Sequence, residues 1–201
     1  MEKEHSWGLV ETTVLELTYS GSRFIVKAGG EADHHIAREL HLLHAQVVVT
    51  DQGYEKREND KALAWLSGPH RIDSSTVELL RAEIAAWPTP PAILAPTHGD
   101  WQPRNWLTHD GIVSVIDFGR AAMRPALTDF ARLAAQEFRR NAELETAFLV
   151  GYGGDPREKE SWHRTLVREA IGTAGWAHQV GDDAFEAQGL RMIAEALSGR
   201  R

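Results

Sequence analysis

His98-Gly99-Asp100-Trp101-Gln102-Pro103-Arg104-Asn105, then Trp106-Leu107-Thr108, Asp110-Gly111 and Ile112 to Ile116, and finally Asp117-Phe118-Gly119: the reading of this chain turns on that stretch. Asp-Gly between two apolar runs is a strong signal for a two-residue hairpin turn. With Asp110 and Gly111 at the turn, His109 faces Ile112 and, counting outward, Asn105 faces Ile116, one place from Asp117. The hairpin therefore predicts Asn105 and Asp117 at one open end, beside the loop that carries Asp100.

Three oxygen-bearing side chains gathered in that way suit phosphoryl transfer. An alcohol that attacks the γ-phosphate of a nucleotide needs a carboxylate to orient it and accept its proton, and oxygen ligands to hold magnesium across the phosphates. Asp100 suits the first task. Asn105 and Asp117 suit the second, because magnesium takes few protein oxygens and completes its octahedron with phosphate and water. The spacing Asp-x4-Asn, a strand pair, then Asp-Phe-Gly matches the protein-kinase catalytic signature in order and role. On this composition His-Gly-Asp-x4-Asn arises by chance on the order of once in a thousand such sequences.

His98-Gly99-Asp100, in place of the His-Arg-Asp of protein kinases, resembles the aminoglycoside phosphotransferase and choline kinase-like family. That resemblance implies a loop, supported by His98, whose Asp100 is the base and whose Asn105 is a metal ligand, with Asp117 as a second metal ligand. It also implies Mg2+ as cofactor, ATP as co-substrate, and a helical C-terminal lobe that receives a small-molecule hydroxyl acceptor. Pro125-Ala126-Leu127-Thr128-Asp129 resembles the family segment in which an acid supports the catalytic loop, which makes Asp129 the supporting residue. Lys27, at the end of Phe24-Ile25-Val26-Lys27, resembles the strand lysine that meets the α and β phosphates, with Glu39 of the next helix as its partner. Arg104 either meets a phosphate or pairs with a nearby acid.

The fold so implied is α+β, a protein-kinase-like two-lobe arrangement. Residues 1–46 form a reduced β N-terminal lobe for the nucleotide, and residues 47–201 a mainly helical C-terminal lobe with the catalytic loop and the substrate region. Within the first, Val10 to Tyr19 and Arg23 to Ala28 read as a β-hairpin, and Glu31 to His44 as a helix. Val47 to Thr50 reads as a short strand, and Asp51 to Asp60 as loop or frayed helix. Ser75 with Glu78 reads as a capping box for a helix ending before Pro88, and the prolines that follow as an extended connector. Helices are expected over Thr128 to Arg140, Glu143 to Tyr152, Lys159 to Ile171 and Asp183 to Leu197.

The pattern is partial toward the N-terminus. No glycine-rich repeat precedes the lysine strand, and the interval from Lys27 to Asp100 is too short for a full set of further strands, hinge and helices. Arg38 to Gln46 reads as the start of the family's glutamate helix run directly into the end of a later helix of the Leu-x-x-Leu-His type. The alternative to an enzyme is therefore a shortened, catalytically weak relative acting as a binding or interaction module.

Composition narrows the classes further. The chain has 201 residues, of which 42% are hydrophobic and 25% charged, as in an ordinary globular protein. It has no cysteine, which excludes disulfides, thiolate metal sites and a cysteine nucleophile. A net charge of -7 argues against nucleic acid or anionic lipid as a partner. No apolar run is long enough for a membrane helix and the start lacks a signal-peptide core, so a cytoplasmic protein is expected. The histidines at 34, 35, 41 and 44 lack a metal-binding pattern and are expected to be solvated. Trp101 and Trp106 are expected in the core, with Trp101 a lesser candidate for substrate contact.

Overall fold

The structure, a computed structural model, describes residues 15–19, 22–26, 33–109 and 112–199. Seven strands and eight α-helices follow one another in these residues: β1 (Leu15–Tyr19), β2 (Ser22–Val26), α1 (Asp33–His44), β3 (Val49–Asp51), α2 (Tyr54–Trp65), α3 (Ser74–Ala86), β4 (Ala92–Thr97), β5 (Trp106–His109), β6 (Ile112–Val115), β7 (Ala122–Arg124), α4 (Phe130–Ala135), α5 (Glu137–Arg140), α6 (Ala142–Tyr152), α7 (Lys159–Val180) and α8 (Asp183–Ser198). Every strand pair is antiparallel, which makes the chain α+β as the sequence predicts. The chain divides into two compact units, Met1–Val47 with Ala95–Pro156, and Val48–Leu94 with Arg157–Arg201.

The first unit holds the predicted catalytic segment. Its β5–β6 hairpin has the predicted register, Trp106 opposite Val115 and His109 opposite Ile112, and the Ile116 N–H donates to the Asn105 carbonyl at 3.0 Å. The Asp110-Gly111 turn itself lies outside the described residues. The β1–β2 hairpin lies against β6, and α1 packs on α6. Ala95 to Thr97 of β4 pair with β7. The core is aromatic: Phe130, Phe138, Phe148 and Trp101 are buried, with Phe130 and Phe138 set edge-on to Phe148 at 5.6 and 5.5 Å. The helix predicted over 128–140 is instead a 3-10 turn (Ala126–Asp129) followed by α4 and α5, broken at Gln136, whose φ of -121° and ψ of -78° are not helical.

The second unit is a helical stack with an aliphatic core. Leu80 and Ile84 of α3, Ala62 and Leu66 at the end of α2, Val167, Ile171 and Ala174 of α7 and Ile193 of α8 bury one another. Three predictions need correction here. The segment read as loop or frayed helix is the regular helix α2; two of its inward positions are Glu55 and Asn59, so hydrophobic periodicity does not reveal it. Glu55 is held by Arg164 at 3.0 Å and Arg168 at 2.7 Å, which removes the penalty of burying it alone. Helix α3 is capped by Asp73, whose carboxylate accepts from the Thr76 N–H at 2.9 Å, and not by Ser75, whose hydroxyl donates to that same carboxylate. Helix α7 runs nine residues past the predicted end at Ile171 to Val180. The helix continues through Gly172 and Gly175, and a Cβ on Gly175 would come 2.6 Å from the Trp65 ring, so that glycine serves close packing.

Candidate active site

The loop between β4 and β5 is built around buried polar groups, of which His98, Asp100, Gln102 and Asn105 all have hydrogen-bond partners. His98 is fully buried; its Nε2 donates to the Ile116 carbonyl at 2.7 Å, and its Nδ1 accepts from the Asp100 N–H at 3.2 Å. The partners fix the tautomer, since a carbonyl only accepts and an amide N–H only donates. His98 thus clamps the loop to the end of β6, one residue before Asp117. Gly99 has a φ of 79°, a conformation L side chains rarely adopt, and an added Cβ would run into the Arg120 carbonyl.

Asp100 is buried, and four side chains hold its carboxylate. Oδ1 receives Gln102 at 2.6 Å and Arg132 at 2.7 Å; Oδ2 receives Arg104 at 3.0 Å and the Asn105 amide at 3.2 Å. Burial is the largest single influence and pushes the carboxyl up. The Arg132 charge, then hydrogen bonds from Arg104 and Gln102, outweigh it, so Asp100 titrates below the usual aspartate range. It is therefore ionised at neutral pH. The four partners differ in how firmly they are held: the Arg104 side chain is 69% exposed, whereas that of Arg132 is 18% exposed.

The Asn105 amide nitrogen donates to the Asp100 carbonyl at 2.8 Å as well as to its carboxylate. Both partners are acceptors, so the orientation of the amide is determined and its oxygen is free of hydrogen bonds among the described residues. Asp117 follows the Ile116 anchor with φ 60° and ψ 59°, the one non-glycine residue with positive φ among the described residues. Its carboxylate is exposed and makes no hydrogen bond or ion pair among them. Left-handed backbone at a residue other than glycine is strained, and such strain persists where the surroundings over-determine it. An uncommitted amide oxygen and an uncommitted carboxylate fit the sparse protein ligation of magnesium. Among the described residues no group of three or more histidines and carboxylates gathers to hold a metal unaided.

Asp129 lies under the loop, fully buried. Its two oxygens accept the His98 N–H at 2.7 Å and the Gly99 N–H at 2.6 Å, and Oδ2 also meets His44 Nε2 at 3.1 Å. His44 is therefore not solvated as expected; it is buried and bonded on both ring nitrogens, the other to the Tyr152 hydroxyl at 2.8 Å. Trp101 is 1% exposed and belongs to the core, not to a substrate surface. Arg104 forms the ion pair that was one of its two expected roles. Lys27 lies outside the described residues, and Glu39 sits exposed on α1.

Gln102, Arg132, His44 and Tyr152 are site residues that the sequence reading does not assign. Arg132 had a signal, since it lies one helical turn beyond Asp129, the spacing that puts two side chains on one face. His44 closes the Leu-x-x-Leu-His pattern, which marks the residue but not its partner, and Tyr152 had no signal.

Comparison with solved structures defines the class. Choline kinase LicA from Streptococcus pneumoniae superposes with a TM-score of 0.60 at 14% identity, over 94% of this chain and 75% of that one. A glucosamine kinase, solved in complex with glucosamine, ADP and inorganic phosphate, gives 0.58 at 16% identity, over 84% of this chain and 54% of its own. The GDP complex of aminoglycoside 2'-phosphotransferase-IIIa gives 0.58 at 15% identity, over 96% and 77%. The fold is thus protein-kinase-like, with a reduced β portion and a mainly helical remainder. The sequence model of the phosphotransferase enzyme family (APH) matches residues 18–165, and the chain belongs to that family. A search of curated protein sequences finds no match.

Proposed function

We propose that this chain is an ATP-dependent phosphotransferase that moves the γ-phosphate to a hydroxyl of a small molecule, of the aminoglycoside or amino-alcohol kind. The observation that carries the reading is the tie between the two motifs. The loop bearing Asp100 and Asn105 is joined by two hydrogen bonds, His98 to the Ile116 carbonyl and the Ile116 N–H to the Asn105 carbonyl, to the residue beside Asp117. In this proposal residues 1–46 serve the nucleotide, with Lys27 and Glu39 placing its phosphates, and residues 47–201 carry the catalytic loop and the substrate region.

Asp100 orients the acceptor hydroxyl and takes its proton as the hydroxyl oxygen bonds to the γ-phosphorus. The bond from that phosphorus to the β-bridging oxygen breaks, and ADP departs. The hydroxyl reaches Oδ2 by displacing Arg104, the most exposed of the four partners, while Gln102 and Arg132 keep Oδ1 in place. Asn105 and Asp117 would hold magnesium, which neutralises charge developing on the phosphates. Among the described residues no helix is long and apolar enough to cross a membrane.

Transfer from γ-labelled ATP to a panel of amino alcohols and aminoglycosides tests the reading. Asp100→Asn keeps the shape and removes the base, and is expected to lower turnover by about 10²- to 10⁴-fold with folding intact. Equal turnover in the variant removes Asp100 from the mechanism. Phosphate release that needs no acceptor would identify a hydrolase instead.

A further inference from the structure

We propose that His44 is a positioning residue for the catalytic loop, acting through Asp129, with the Tyr152 hydroxyl holding it in one tautomer. This deepens the phosphotransferase reading and rests on it. His44 ends α1 and Tyr152 ends α6, two helices packed on one another, and Asp129 lies at the start of α4. All three side chains are buried. His44 Nε2 is 3.1 Å from Asp129 Oδ2, and Nδ1 is 2.8 Å from the Tyr152 oxygen.

The proton positions follow from the partners. Asp129 already accepts two loop N–H groups, so the ring nitrogen facing it is the donor, and the proton sits on Nε2. Nδ1 is then a bare acceptor, and Tyr152 donates to it. Burial, and next the charge of Asp129, push the Tyr152 hydroxyl up to about 12, so it keeps its proton. The Tyr152 ring is itself fixed edge-on by Phe130 at 5.0 Å and His41 at 5.3 Å.

The consequence reaches the reacting end of the site. The His98 and Gly99 amides both hang on Asp129, and Asp100 is the next residue. A carboxylate at the start of α4 that is bonded only to those two amides of the 98–105 loop can turn about its own side-chain bonds with them. A third donor, brought by a helix 85 residues away in sequence, fixes the carboxylate relative to the core, and the loop with it. One buried chain of bonds thus runs from Tyr152 through His44 and Asp129 to the backbone beside Asp100.

Two substitutions separate the arms of the ring. Glutamine places an amide N–H near the position of Nε2, so His44→Gln keeps the bond to Asp129 and loses that to Tyr152. Asparagine reaches only to the position of Nδ1, so His44→Asn does the reverse. Amide exchange followed by NMR on the full chain is the main readout. His44→Asn is expected to speed exchange at His98 and Gly99 about tenfold or more relative to the amides of α7, and His44→Gln to stay within about threefold of the parent. Turnover should follow the same order, falling in kcat with the nucleotide KM unchanged.

Equal exchange in the two variants, or none accelerated, overturns the proposal. Should His44→Asn fail to fold, the ¹⁵N spectrum of the unsubstituted protein decides: a proton on Nε2 and a bare Nδ1 are expected, and the reverse tautomer overturns the assignment. Neither exchange nor tautomer needs turnover. A chain that proved inactive would thus sink the phosphotransferase reading while leaving this one to be judged by itself.

Discussion

The unit containing Ala95–Pro156 and the unit containing Val48–Leu94 differ in where they place their buried polar groups. The second fills its interior with Leu80, Ile84, Val167 and Ile171, and the carboxylates it buries are each paired with a base: Glu55 with Arg164 and Arg168, Glu83 with His163, and Glu186 with Arg71 and His178. The first buries His98, Asp100, Asn105 and Asp129 and holds Asp117 in a left-handed conformation. Buried polar groups stabilise only weakly when fully satisfied and are costly when a partner is lost. The first unit gathers its buried polar groups around one loop, whose geometry they hold, whereas the second spreads them among separate ion pairs beside an aliphatic core that supplies packing. The difference teaches where a substitution should affect activity and where only stability.

The strongest way to break this comparison is Asp129→Ala. It removes the acceptor for two loop amides and for His44, and is expected to cost about 3 kcal/mol or more in urea unfolding and to lower turnover by about 100-fold. If the loss of turnover were no greater than the loss of folded protein, the loop would not depend on its anchor. In the aliphatic unit Leu80→Ala should cost about 2–5 kcal/mol, with kcat unchanged well below the melting temperature. A large fall in kcat at constant folded fraction would erase the distinction between the units.

The finest test concerns protons. The Asp100 carboxyl is held below its usual range, so its contribution to stability is present above the unfolded aspartate pKa, about 3.9, and is lost as pH falls through the lower folded value. Arg104→Ala removes one of the lowering influences. The acid limb of turnover should move to higher pH in that variant, with a stability change below about 1 kcal/mol because Arg104 is largely exposed and Asp100 keeps Arg132, Gln102 and Asn105 as partners. An acid limb that stayed in place would show that Asp100 is not the titrating group.

Legibility in the sequence followed the same division of physics. The β5–β6 register was readable because Asp110-Gly111 and two-residue alternation are local signals, and from it came the pairing of Asn105 with Ile116. Helix α2 could not be told from loop, because Glu55 and Asn59 face inward and their partners Arg164 and Arg168 lie 109 residues on. The end of α7 was placed too early: the helix runs on through Gly172 and Gly175, and Gly175 serves packing against Trp65, which no local signal shows. At the site, Asp100, Asn105, Asp117 and Asp129 are carried by short motifs. Gln102 and Arg132 act on Asp100 from positions that no motif marks, and His44 meets Asp129 across 85 residues.

The central claim is that Asp100, Asn105 and Asp117 serve one centre for magnesium and a nucleoside triphosphate. Thermal melting of the parent chain and of Asp117→Asn, with and without millimolar Mg-ATP, tests it most directly. A ligand at 100 times its dissociation constant stabilises by roughly 2.7 kcal/mol, so the account predicts a clear rise in Tm for the parent that is lost in the variant. No rise in the parent, or an equal rise in both, would contradict it.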